Sequence, residues 1–181
     1  MKIRVGFGYD VHRLGEGYEF WLGGIKIEHV KGSIGHSDGD VLIHAICDAL
    51  LGAANLRDIG VHFPDNDPTL KGIDSKLLLA KTVALISEKG YRIGNIDSTI
   101  CLQRPKIKDH IPTMLQVLAK VMGIDTDDIA IKATTTEKLG FVGAEDGTQH
   151  DRGARLPARP GRARTALRRT GPGRTAQLRS H

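Results

Sequence analysis

The apolar residues able to build a core stop at residue 147. Residues 148–181 hold no Ile, Val, Met, Phe, Tyr or Trp, and their large apolar side chains are Leu156, Leu167 and Leu178. A segment of that composition cannot bury enough surface to offset its chain entropy. The sequence therefore predicts one folded domain over 1–147 and a disordered tail over 148–181. Charge divides at the same point. The first 147 residues carry 17 Lys and Arg against 20 Asp and Glu, a net of −3, whereas the tail carries nine Arg and the single acid Asp151, a net of +8. A break this abrupt is what a shifted reading frame would produce.

Within the first part, periodicity predicts an α/β chain. Ile3, Val5 and Phe7 alternate over 2–9 as a strand that would deliver Asp10 and His12 at its C-terminal end. Residues 21–27 read as a hairpin turning at Gly23-Gly24. A mostly buried helix is expected from Asp40 to about Leu56, with Ser37, Asp38 or Asp40 as N-cap. A second runs from Asp74 or Ser75 to Gly90, and a third from Pro112 to Gly123. Strands are expected over 92–102 and 128–133. No apolar run approaches the roughly 18 residues of a membrane span, and the N-terminus has no signal-peptide core, so the expectation is a cytoplasmic protein. Cys47 and Cys101, without C-x-x-C spacing, read as reduced thiols.

Chemistry concentrates near the N-terminus. Asp10 and His12 are two apart on an extended segment and share a side, while His44 falls in the first turns of the first helix. A carboxylate with two imidazoles is the ligand set of an open zinc site, which leaves a fourth position for water or substrate. His36 is a further candidate ligand. Asp48, four residues after His44, could accept the other ring proton. Singly, His44 would read as a satisfied core histidine and Asp10 as a turn residue.

Three more segments carry functional groups. Residues 58–67 form a turn-rich stretch. Residues 103–108 put Arg104, Lys106 and Lys108 at a strand end, suited to phosphate or to a solvated turn. Thr134, Thr135, Thr136 and Glu137 offer three hydroxyls and a carboxylate, able to meet phosphate oxygens and a hard cation such as Mg²⁺, or simply to end a strand.

Taken in order, Gly8-Tyr9-Asp10-Val11-His12, Gly35-His36-Ser37-Asp38-Gly39-Asp40-Val41 with His44, Asp58-Ile59-Gly60, Phe63-Pro64-Asp65, Arg104-Pro105-Lys106 and the run from Ala133 to Phe141 resemble the 2-C-methyl-D-erythritol 2,4-cyclodiphosphate synthase family. That resemblance implies a mixed β-sheet with helices packed on one face, and a homotrimer with its sheets toward the three-fold axis and sites shared between subunits. It implies Zn²⁺ on Asp10, His12 and His44, and Mg²⁺ or Mn²⁺ on Glu137. His36 and Thr135 would act in catalysis. Asp10, Val11, His12, His36 and Ser37 would lie near the reacting phosphates. Asp58, Ile59, Gly60, Phe63, Pro64, Asp65, Asn66 and Asp67 would surround the methylerythritol part. Leu102, Gln103, Arg104, Pro105, Lys106, Ile107 and Lys108 would bind the cytidine and its phosphates, together with Thr134, Thr135, Thr136, Glu137 and Phe141.

The chain departs from that family downstream. Ala144 stands where the family usually places an Arg, and the usual apolar last strand is replaced by the Arg-rich tail. Two other readings compete. The same ligands could activate water in a zinc-dependent phosphate-ester hydrolase, or the tail could be a nucleic-acid-binding arm on a metal-binding domain. Against the arm, no aromatic residue interleaves the arginines and the folded part is acidic.

Overall fold

The computed structural model describes residues 3–150 and, as backbone, Thr165–Arg169. In chain order the elements are β1 (Ile3–Val5), β2 (Asp10–Glu16), β3 (Phe20–Leu22), β4 (Ile25–Ile27), β5 (Lys31–Ile34), α1 (Val41–Ala53), α2 (Ile59–His62), α3 (Ser75–Glu88), β6 (Tyr91–Cys101), α4 (Ile111–Met122), β7 (Ile129–Thr134), α5 (Gly140–Gly143), β8 (Gly147–His150) and β9 (Thr165–Arg169). Seven strands form one sheet in the order β1-β9-β6-β8-β2-β5, with β7 running parallel to β6 through residues 96–101 and every other pairing antiparallel. β3 and β4 make the separate hairpin, turning through Gly23 and Gly24 at φ 62° and 79°.

Alternation decides what each strand gives the core. Along β6, Ile93, Ile96 and Ile100 are buried, and they meet Leu42, Ile43, Ile46 and Leu50 of α1, Leu79 and Ile86 of α3, and Met114 and Leu118 of α4. Each such side chain contributes about 1.5–3 kcal/mol through its removal from water. On β2 the buried residue is Leu14, so Asp10 and His12, of the same parity, lie on its side, whereas Val11 is exposed. No helix among the described residues is long and apolar enough to cross a membrane.

Asp40 ties the hairpin to the helix layer. Its carboxylate is fully buried and accepts from the N–H groups of Gly23 (3.0 Å), Gly24 (2.6 Å) and Ile43 (3.0 Å), capping α1 and closing the hairpin turn together. Burial pushes its carboxyl up, with the Gly24 and Ile43 donors working against that.

The first strand ends sooner than the alternation predicts. β1 stops at Val5, residues 6–9 leave the ladder, and Asp10 and His12 open β2 instead of closing a strand over 2–9. The cause is α1, whose backbone lies on this segment. A Cβ on Gly6 would sit 1.8 Å from the Ala49 carbonyl oxygen, and one on Gly8 would sit 1.9 Å from that of Ala45. Those two glycines are where helix and strand touch main chain to main chain.

The tail also differs in part. The disorder expected over 148–181 falls, for residues 151–164 and 170–181, outside the described residues. Residues 148–150 instead complete β8, paired with β2 and β6, and Thr165–Arg169 runs as β9, antiparallel to both β1 and β6. Backbone pairing needs no apolar side chain, which is why composition gave no sign of it.

Cys47 is fully buried in α1, and burial pushes its thiol up to about 12. Only a thiolate is nucleophilic, so Cys47 should resist iodoacetamide at pH 8 in the native state and react once urea unfolds the chain. Peptide mapping of the alkylated protein reads this directly.

Candidate metal centre and its cleft

The start of β2 and the first turns of α1 bring Asp10, His12 and His44 together, with one potential ligand atom from each lying within 4.8 Å of the others. His44 Nδ1 is 3.0 Å from Asp10 Oδ2, and His12 Nδ1 is 3.1 Å from the same oxygen. The two imidazoles are 5.1 Å apart, centroid to centroid. His12 Nδ1 is buried and, despite its proximity to Asp10, lacks the alignment of a hydrogen bond. A buried nitrogen without a hydrogen-bond partner, beside a carboxylate and a second imidazole, is a donor set suited to a divalent cation. A tetrahedral zinc at about 2.0–2.2 Å from each ligand requires donor atoms about 3.3 Å apart. The two contacts to Asp10 already approach that spacing, so the donor set fits the ion.

Burial works against ionisation of Asp10, but His12 and His44 beside it prevail and hold its carboxyl well below the usual carboxylate range. For His44, burial opposes the charge, and the hydrogen bond and charge of Asp10 outweigh it and raise its pKa. The raised His44 value means the metal-free ion pair contributes stability fully below the unfolded imidazole's value of about 6.5, and loses it as pH rises through the folded value. The depressed Asp10 value means the same pair holds above the unfolded carboxyl range and is lost as pH falls through the folded one. Metal-free protein should therefore show a falling urea midpoint between pH 6 and pH 9. With zinc the trend should reverse, because the ion displaces that proton.

Two loops carry the rest of the centre. The segment over 35–40 is stitched to the entry of α3, with Gly72 N–H donating to the His36 carbonyl (2.6 Å) and Asp38 N–H to that of Ile73 (3.1 Å). His44 Nε2 faces two hydroxyls, Ser37 Oγ at 3.1 Å and Ser75 Oγ at 3.0 Å. Ser75 Oγ in turn donates to Asp38 Oδ1 at 2.5 Å. Asp48 does not meet His44, although the helical spacing predicts it. Its Oδ1 accepts the Ile59 N–H at 2.8 Å and holds the start of α2. Tertiary contacts 31 and 37 residues apart replaced the local pair.

A cleft of about 460 Å³ opens on this centre, lined by Asp10, His12, His36, Ser37, His44, Ile59, Gly60, Phe63, Pro64, Asp65, Asp67, Leu70, Ile73 and Leu78. Sequence reasoning missed Leu70, Ile73 and Leu78 in that wall, and it saw Ser75 only as a helix cap. Of the predicted residues, Asn66 does not line the cleft, Asp58 caps α2 through the Val61 N–H (3.1 Å), and Val11 is exposed on the other parity of β2.

The remaining candidates form a second group at the ends of β6 and β7, joined where Leu102 N–H donates to the Thr134 carbonyl (3.0 Å). None of them lines the cleft of the same chain. Arg104 pairs with Glu145 at 2.7 Å, beside a cis bond to Pro105. Lys106 and Lys108 are exposed. Thr135 Oγ1 donates to Glu137 Oε1 (2.7 Å), and Thr136 Oγ1 donates to the Leu139 carbonyl (2.7 Å). Leu102 and Ile107 are buried in the core, so what these two can offer a ligand is main-chain groups. Gln103 Oε1 is buried without a partner, and Phe141 on α5 is exposed.

The sequence profile described as the YgbB family matches residues 3–151. A 2-C-methyl-D-erythritol 2,4-cyclodiphosphate synthase of Bacteroides fragilis is 74% identical over 147 residues, 81% of this chain and 92% of that protein. The Porphyromonas gingivalis synthase of the same name is 63% identical over 145 residues, 80% of this chain and 90% of its own. Among solved structures, the bifunctional IspDF of Campylobacter jejuni superposes with a TM-score of 0.80 at 38% identity, covering 92% of this chain and 41% of that one. A 2C-methyl-D-erythritol-2,4-cyclodiphosphate synthase in a CDP-bound form gives 0.75 at 33% identity, covering 91% and 97%.

Proposed function

The chain belongs to the YgbB family, and from that membership we infer that it converts 4-diphosphocytidyl-2-C-methyl-D-erythritol 2-phosphate to 2-C-methyl-D-erythritol 2,4-cyclodiphosphate and CMP. The enzyme is thus a phosphorus-oxygen lyase of isoprenoid precursor synthesis, acting in the cytoplasm. The observation that carries the reading is the convergence of Asp10, His12 and His44 in the wall of a cleft that also holds His36 and Ser37.

In this reaction the 2-phosphate attacks the β-phosphorus of the same molecule and CMP leaves. Attacking and accepting groups are both anionic, so the barrier is charge repulsion and alignment, and no protein nucleophile is required. Zinc held by Asp10, His12 and His44 would supply positive charge against the phosphate oxygens. The chain's own groups do the folding of the substrate. The walls formed by Ile59, Gly60, Phe63 and Pro64 exclude water from the methylerythritol part, and Asp65 accepts from a hydroxyl. His36, exposed at the rim, and Ser37 donate to the phosphates.

The cytidine end falls to the second group, Arg104 to Lys108 with Thr134 to Glu137, supplied by a neighbouring subunit. Thr135 assists the transition state and Glu137 holds Mg²⁺ or Mn²⁺. Two observations support a homotrimer with shared sites: the second group lies outside the cleft of its own chain, and Ile3, Val5, Phe7 and Val11, on or beside strands of the sheet, are each exposed. Apolar surface of this kind marks a partner interface.

The test is product identity. With the cytidylyl substrate, zinc and magnesium, the purified chain should release CMP and the cyclic diphosphate in equal amounts, read by ³¹P NMR. Linear phosphates instead would assign a hydrolase and overturn the reading.

A further inference from the structure

Ser75 and Asp38 have no place in the substrate cleft, yet they complete a hydrogen-bonded chain that ends on His44. Asp38 is held rigidly: Oδ2 accepts the Ser75 N–H at 2.9 Å, and Oδ1 accepts the Ser75 hydroxyl at 2.5 Å and the Asp40 N–H at 3.2 Å. Ser75 is fully buried at the start of α3. A serine hydroxyl has one hydrogen, and here that hydrogen is spent on Asp38. Toward His44 Nε2, 3.0 Å away, Ser75 Oγ can therefore only accept. His44 Nε2 must bear the proton, and the lone pair of a neutral His44 is then on Nδ1, directed at Asp10 Oδ2. A lone pair 3.0 Å from a carboxylate oxygen is repulsive unless a proton or a metal ion lies between them, so Nδ1 is the nitrogen at which the ion would displace the proton.

We propose that Ser75 and Asp38 are positioning residues for the metal centre. They act as a hydroxyl–carboxylate relay that locks His44 in the Nε2–H form, aims Nδ1 at the ion and strengthens it as a donor. The inference rests on the reading of Asp10, His12 and His44 as metal ligands. Imidazole ligands commonly hand their second ring proton to a carboxylate or carbonyl. Here the carboxylate is reached through one hydroxyl, because α3 places Ser75 between the loop of Asp38 and the face of α1. The relay has a second consequence. With Nε2 as the donor, its single hydrogen is shared between Ser75 Oγ and Ser37 Oγ at 3.1 Å, and Ser37 Oγ also accepts the Gly39 N–H at 3.1 Å, so neither contact uses the hydrogen of Ser37, a residue that lines the cleft.

Chelator competition with zinc on the full chain tests the relay without substrate. S75A and D38N should each weaken zinc binding about 10- to 100-fold. Because the two residues act as one unit, the double variant should lose no more than the weaker single, instead of the product of both losses. The visible bands of the cobalt-substituted protein should shift in the same variants, which a change in fold stability alone does not produce. Affinities of S75A and D38N within twofold of wild type, losses that multiply, or an unshifted cobalt spectrum would overturn the relay. Wild-type protein that takes up no zinc would overturn the metal centre itself, and the relay with it.

Discussion

Replacement of His44 by alanine is expected to lower kcat/KM by about three orders of magnitude and to release zinc from the purified protein. The loss follows from what His44 joins. Its Nδ1 is one of three donors around the ion's position, and its Nε2 anchors the hydroxyls of Ser37 and Ser75. A metal's stabilisation of developing charge is worth several kcal/mol, and about 4 kcal/mol corresponds to a thousandfold in rate. Removal of His44 forfeits that stabilisation and also opens a void beneath the cleft. H44A should keep its secondary structure by circular dichroism, because α1 retains all ten of its buried positions, from Val41 to Ala53. Alanine at His36, by contrast, should reduce turnover while leaving zinc content unchanged, since His36 is exposed and outside the three-ligand cluster. Zinc content by mass spectrometry and steady-state kinetics separate the two variants.

The largest effect on stability is expected from Asp40→Ala. Three buried N–H donors, on Gly23, Gly24 and Ile43, would lose the Asp40 carboxylate as acceptor at once. A hydrogen bond to a charged group contributes about 1.5–3 kcal/mol, and leaving a buried donor unpaired costs about 1–3 kcal/mol. The three are not additive, so the net loss should be about 3–5 kcal/mol, a large share of the roughly 5–15 kcal/mol available to a domain. Asp40→Asn keeps one acceptor oxygen and should lose less. Urea denaturation of the zinc-free proteins reads both. The effect would reach the metal centre too, because Asp40 begins the helix that carries His44.

Much of this was legible because the signals were local. Gly23-Gly24 between alternating apolar residues specified the hairpin, and Asp40 stood at the right offset to cap α1. Pro112 and Gly123 bracketed α4 as their backbone preferences require. What escaped was long-range. The alternation of Ile3, Val5 and Phe7 continued past the true end of β1, because nothing in that pattern reveals that α1 presses on Gly6 and Gly8. Asp48 looked like the partner of His44 by helical spacing, whereas Ser75 and Asp38 reach it across the fold. By local pattern both are helix-cap candidates, the role available to them from their sequence neighbours alone. The tail hid β9 because apolar content was the signal used, while a strand between two others can be held by its main chain alone.

The most direct test of the account is the position of the ion. Crystals grown with zinc should show an anomalous peak at about 2.0–2.2 Å from Asp10 Oδ2, His12 Nδ1 and His44 Nδ1, with His44 Nε2 still against Ser75 Oγ. A peak elsewhere in the molecule, or one bound through His44 Nε2, would contradict it.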